Sequence, residues 1–175
     1  MRIRLRSAGQ AADAHVVDSR VCIRTAGPAD AIGLARLKEA WADLPSPATD
    51  AERTEFASSL AGWMRERGDS VICQVAEFEG ALIGMAWLVV FERVPDIRDR
   101  RRRTGDIQSV FVQPSHRARG IGSQLIRTLT VVADDLGIPR VTVSANSRAV
   151  AIYQALGFVE TPFLLERRAR AVVSH

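Results

Sequence analysis

The chain has 175 residues, 47% of them hydrophobic, and a mean hydropathy of 0.00, which suits one domain with an apolar core and leaves little room for two. Neither a secretory leader nor a run of about 18 uninterrupted apolar residues is seen, so the expected setting is cytoplasmic, with no membrane. The formal charge of +4 sits at the ends: residues 1–20 and 166–175 carry +2 each, which leaves 21–165 neutral and excludes a nucleic-acid footprint on the folded body.

Residues 1–20 show no sustained periodicity and are expected to form a mobile N-terminal extension, with the folded domain occupying 21–175. A short strand is predicted at 21–25, followed by a turn at Gly27-Pro28. From about Ala29 the positions of Ile32, Leu34, Ala35, Leu37, Ala40, Trp41 and Leu44 give one mostly apolar face, which predicts an amphipathic helix stopped by Pro45 and Pro47. Phe56, Leu60, Trp63 and Met64 recur at helical steps and predict a second helix at about 51–66.

The period then changes. VICQVAEF and ALIGMAWLVVFERV, joined by Glu79-Gly80, predict a hairpin of strands at 71–78 and 81–93. PDIRDRRRRTG reads as a solvated polar loop, because its like charges repel in a compact element. DIQSVFVQP is a further strand ended by Pro114, and a helix follows with apolar positions Ile121, Leu125, Ile126, Leu129 and Val132, running to about Leu136-Gly137. RVTVSA predicts a strand, NSRAVAIYQALGF a short helix closed at Gly157, and FVETPFLLERRARAV one or two last strands. Hairpins mixed with a strand-helix-strand crossover imply a single α/β (α+β) domain with a mixed sheet and helices on both faces. Cys22 and Cys73 lack CxxC spacing and nearby histidines, so they read as small buried hydrophobes, and no metal site is expected.

Between the Pro114 strand and the following helix lies HRARGIGSQLI, residues 116–126. The first N–H groups of a helix have no internal partner and the dipole there favours negative charge, while glycine lets the backbone curl around an anion. The stretch therefore reads as a phosphate loop, with N–H groups offered around Gly120 and Gly122 and charge from Arg117 and Arg119. A GxxxxGK loop is excluded because the sole lysine, Lys38, lies elsewhere, and a GxGxxG fingerprint fails at Leu125.

What remains is Arg-x-x-Gly-x-Gly at Arg117 to Gly122, followed downstream by Asn146-Ser147-Arg148-Ala149, Tyr153 and Gly157-Phe158. Together these resemble the acyl-CoA loop and second signature of the GNAT superfamily of N-acetyltransferases, over about residues 21–165. The resemblance implies the acyl-CoA N-acyltransferase fold, with a mostly antiparallel sheet of six to seven strands. It implies transfer of the acetyl group of acetyl-CoA to a small-molecule or peptide primary amine by direct attack in a ternary complex, without metal. It further implies that the backbone of Val110, Phe111 and Val112 pairs with the pantetheine arm and supplies an N–H to the thioester oxygen. The amides of Ala118, Arg119, Gly120, Ile121, Gly122 and Ser123 take the diphosphate, Asn146 bonds the pantetheine arm or closes the site, and Tyr153 acts as general acid for the departing thiolate. Dimerisation through the late strands is also implied.

The sequence departs from this pattern at the general base. Gln108 stands where many relatives have glutamate, and an amide accepts no proton at neutral pH. Asp106 shares its strand face by alternation and Glu92 ends the preceding strand, so either is a candidate acting through water, Asp106 foremost. The substitution also leaves open an acyl-CoA-binding sensor or scaffold without turnover. Trp41, Phe56 and Trp63 lie where family members place the acceptor, although their helical spacing assigns them to the core by default.

Overall fold

The computed structural model describes residues 19–42, 45–162 and 164–167; the N-terminal extension and Leu44 therefore lie outside the described residues, save Ser19 and Arg20. It divides into two units, residues 1–144 and 145–175.

The first unit holds a five-stranded sheet in the order β1-β2-β3-β4-β5, made of β1 (Val21–Thr25), β2 (Val71–Phe78), β3 (Ala81–Glu92), β4 (Arg103–Val112) and β5 (Val141–Val143). The first three pairings are antiparallel and β4 pairs with β5 in parallel, as the intervening crossover requires. The β2–β3 turn at Glu79 and Gly80 has positive φ at both residues (50° and 79°), the hand that matches the twist of a tight hairpin.

Three helices cover the sheet: α1 (Ala31–Ala42), α2 (Asp50–Arg67) and α3 (Ile121–Asp135). α1 and α2 bury Leu34, Leu37, Leu60 and Met64 on one face, against Cys73 and Val75 of β2, Met85 and Trp87 of β3 and Phe111 of β4. Alternation turns Gly84, Ala86 and Leu88 to the opposite face, where α3 buries Ile121, Leu125, Ile126 and Leu129. α2 starts with a reciprocal capping box: the Thr49 hydroxyl accepts from Glu52 N, and Glu52 accepts from Thr49 N. Arg24 of β1 bridges Asp30, just before α1, and Glu77 of β2, and this guanidinium holds the Asp30 carboxyl below its ordinary range.

The second unit contains α4 (Val150–Ala155), shorter than the predicted helix because residues 147–149 form a turn.

Four expectations need correction. The sheet has five strands among the described residues rather than six or seven: residues 158–162 and 164–167 form none, and the rest of that predicted segment is outside the described residues. β4 begins at Arg103, three residues inside the predicted polar loop, because Thr104 and Arg103 pair with Phe91 and Glu92 of the long β3. Cys22 is exposed rather than buried, since β1 is an edge strand with one solvated face. Ile32 and Trp41, assigned to the apolar face of α1, are also exposed, at 43% and 48%.

Candidate active site

One side of the candidate site is made of backbone. Met85 of β3 faces Phe111 and Trp87 faces Gln108, so β4 has one residue more than β3 between these pairs. This bulge is centred at Ser109, whose φ of 50° is uncommon for a residue with a side chain, and it re-aims the strand beyond it. β5 pairs only with Gly105–Ile107, so among the described residues Val110–Val112 have a strand neighbour on the β3 side alone. The Phe111 side chain is core, and the ladder that runs on to the Gln113 N–Ile83 O bond turns the Phe111 main chain to β3 as well, so Val112 and not Phe111 faces the open edge.

From Val112 the chain passes through a single helical turn at Pro114–His116 and enters α3 through Gly120. Gly120 has φ 74°, the left-handed conformation that costs side-chain-bearing residues about 1–2 kcal/mol. The first helical bond runs from Gln124 N to Gly120 O at 3.0 Å. Ahead of it, no protein group among the described residues accepts from the N–H of Ala118, Arg119, Gly120, Ile121, Gly122 or Ser123. Six consecutive main-chain donors at the positive end of a 15-residue helix form an anion cradle. Ile121 is buried as a core residue, and only its amide can serve the cradle. Arg117 is turned back onto β4: its Nε donates to Val112 O at 2.9 Å and its guanidinium lies 5.5 Å from the Phe111 ring. Arg119 remains exposed at the mouth of the loop.

On the α1–α2 side, a cleft of about 900 Å³ is walled by Lys38, Trp41, Phe56, Leu60 and Trp63, rimmed by residues 45–48 and floored at one end by Gln108 of β4. Trp41 and Phe56, assigned to the core by their spacing, thus line a groove, and Trp63 both lines it and packs against the core. Trp41 and Phe56 are 48% and 44% exposed, and smaller neighbours, Ala57 and Ala61, make the buried contacts of α2 with α1. Asp106 shares a face with Gln108, as alternation predicted, and accepts from Gln108 Nε2 at 2.8 Å and Thr142 Oγ1 at 3.2 Å. It therefore orients the Gln108 side chain that lines the cleft. Glu92 is exposed opposite Arg103 at the far end of the β3–β4 pairing and does not line the cleft.

In the second unit, Asn146 Oδ1 accepts from Ala149 N at 3.1 Å, so this asparagine caps the turn that leads to α4. Tyr153 is 7% exposed, with its ring edge-on to Phe158 at 5.4 Å. Burial pushes its phenol above the ordinary value near 10, so it is protonated throughout the neutral range.

Sequence reasoning passed over Lys38, noting only that it is the sole lysine. Its Nζ reaches across from α1 to Ser109 Oγ at the β4 bulge, 2.7 Å away. The available signal was its position four residues after the core residue Leu34, which turns it toward the sheet.

The family model described as acetyltransferase (GNAT) matches residues 34–158. Human N-acetyltransferase 8 is 30% identical over 111 residues, covering 62% of this chain and 46% of that protein. A glucosamine 6-phosphate N-acetyltransferase of Trypanosoma brucei brucei is 30% identical over 79 residues, covering 45% and 52% respectively. The chain thus spans about half the length of the curated relatives it matches. Among solved structures, an acetyltransferase of Clostridium acetobutylicum with acetyl-CoA shares the fold, with a TM-score of 0.65 at 19% identity over 85% of this chain and 96% of that one.

Proposed function

The chain belongs to the acetyltransferase (GNAT) family, and on that premise we propose that it transfers the acetyl group of acetyl-CoA to a primary amine by direct attack in a ternary complex. The observation that carries the reading is the run of six unpartnered amides, Ala118 to Ser123, at the start of α3, immediately downstream of a β4 segment with one unpaired edge. A diphosphate suits the first feature and an extended amide-bearing arm suits the second.

Acetyl-CoA supplies an activated acyl group as a thioester. The amides of 118–123 hold its diphosphate, with Arg119 adding charge at the mouth, and the main chain of Val110–Val112 pairs with the pantetheine arm and donates an N–H where negative charge develops on the acyl oxygen. Asn146 bonds the same arm. An alkylamine with a reference pKa near 10.4 arrives protonated and must lose a proton before it attacks. Asp106 takes that proton through water, and its bond to Gln108 keeps the amide at the cleft end oriented. Tyr153, held protonated by burial, gives its proton to the departing sulfur.

The α1–α2 cleft takes the acceptor. Amino-sugar phosphates belong in the acceptor panel because one relative is named for such a substrate. Gln108 at the cleft end favours a second reading, an acyl-CoA sensor without turnover. Two measurements separate them. Calorimetry is expected to show acetyl-CoA binding, and its absence sinks both readings. Thiol release across an amine panel is expected for the native chain and to fall about a hundredfold or more in Tyr153→Phe; tight binding with no release on any amine selects the sensor.

A further inference from the structure

Four charged residues line the α1–α2 cleft: Lys38, Glu39, Glu52 and Arg53. Three of them are used by the protein. Glu39 accepts from Arg53 at 2.8 Å and from Ala48 N at 2.8 Å; Arg53 also binds Asp50 and the Ala48 carbonyl. Glu52 closes the Thr49 capping box. These bonds pin the rim at Ala48 and Thr49, with Arg53 set against Glu39 and Asp50 and Glu52 held by the cap.

Lys38 is different. No carboxylate among the described residues lies within 4.0 Å of its ammonium. An ammonium has three N–H donors and no acceptor, and among the described residues one of them is engaged, by Ser109 Oγ. The indole rings of Trp41 and Trp87, with centroids 5.2 Å and 5.5 Å away, flank it. The indole N–H of Trp87, buried behind the ammonium rather than in the cleft lining, has no acceptor among the described residues. The remaining titratable groups are accounted for: Cys73 of β2 is a buried thiol pushed well above its ordinary value and so uncharged, Asp106 of β4 is held by Gln108 and Thr142, and Glu39 by Arg53. Burial draws the Lys38 pKa down, which is the mark of a charge the fold leaves uncompensated.

We propose that Lys38 forms an anion subsite in the acceptor cleft, so that the amine accepted by this protein carries a carboxylate or phosphate group that receives the free N–H donors of Lys38. This rests on the acetyl-transfer reading and narrows its substrate class. Ser109 holds the ammonium at the β4 bulge, and the cation–π contacts with the two indole rings offset part of the cost of burying it. A charge-assisted pair formed in such a partly dehydrated place is worth roughly tenfold or more in affinity.

The test has a binding arm and a turnover arm. Because Lys38 is the only lysine, protein grown with [ε-13C]lysine gives a single lysine resonance. Its titration midpoint is expected below that of free lysine and should rise when inorganic phosphate or acetate is added. In turnover, β-alanine should exceed β-alaninamide, or O-phosphoethanolamine should exceed ethanolamine, by about tenfold in kcat/KM; which pair responds identifies carboxylate or phosphate. Lys38→Arg keeps the preference, and Lys38→Met abolishes it with little change in acetyl-CoA affinity. A resonance unmoved by both anions together with no preference in either amine pair overturns the subsite, as does equal loss in Arg and Met variants, which would mark Lys38 as a proton acceptor instead. If no amine is turned over, the resonance alone decides. Failure of acetyl-CoA to bind, by contrast, defeats the acetyl-transfer reading and leaves the lysine measurement intact.

Discussion

The two sides of the candidate site are built from different materials. One, proposed for the acyl donor, runs from the β4 bulge to the first turn of α3 and offers main-chain amides set by local conformation: φ 74° at Gly120, a short turn at Pro114–His116 and a helix start. The other, proposed for the acceptor, is an assembly of side chains from α1, α2 and β4 that are distant in sequence, 71 residues apart in the case of the Lys38–Ser109 pair. The first kind of site depends on backbone shape and tolerates most side-chain change; the second depends on which side chains meet, and can be retuned without disturbing the first.

That contrast is open to direct attack. Between these two sides the largest effect is expected from Gly120→Val, which forces a β-branched residue into left-handed backbone: acetyl-CoA affinity measured by calorimetry should fall about tenfold or more, while acceptor preference among turned-over amines stays the same. Phe56→Ala should do the reverse, raising acceptor KM several-fold with acetyl-CoA affinity within about twofold, since the ring lines the cleft and is 44% exposed rather than structural. Lys38→Met sharpens the comparison through stability. The folded-state pKa of Lys38 lies below its unfolded value, so between the two the unfolded chain binds more protons and stability rises with pH. Denaturant titrations at several pH values below the unfolded lysine value should show that slope in the native chain and a shallower one in Lys38→Met, which should also be no less stable at neutral pH. The smallest effect belongs to Arg119→Ala, exposed at the loop mouth: about a twofold loss of acetyl-CoA affinity at low salt that fades as salt is raised.

How far the sequence could be read follows the same division. The 117–122 pattern and the hairpin around Glu79-Gly80 were legible because each is a local string whose conformation is dictated by the residues in it. Helices α1, α2 and α3 were legible from periodicity to within a few residues. The cleft was not, because helical spacing shows that Trp41, Phe56 and Trp63 are apolar without showing what faces them; Ala57 and Ala61 take the close contact between α1 and α2 and the larger rings are left along the groove. The start of β4 was hidden by charge. Four consecutive arginines read as solvent-loving, yet Arg103 joins the ladder opposite Glu92 and its guanidinium donates to the Leu136 carbonyl at the end of α3. Lys38 was hidden for the opposite reason, since a lone cation on an amphipathic helix is ordinarily a solvated one.

The short reach of β5 has a consequence for handling the protein. With Val143 opposite Ile107 as the last paired position among the described residues, β4 beyond it presents on that side a strand edge of the type that nucleates sheet-to-sheet association between molecules. A ligand docked along that edge acts as a surrogate strand, so, on the proposed reading, saturating the protein with acetyl-CoA should slow aggregation on storage as well as stabilise the fold.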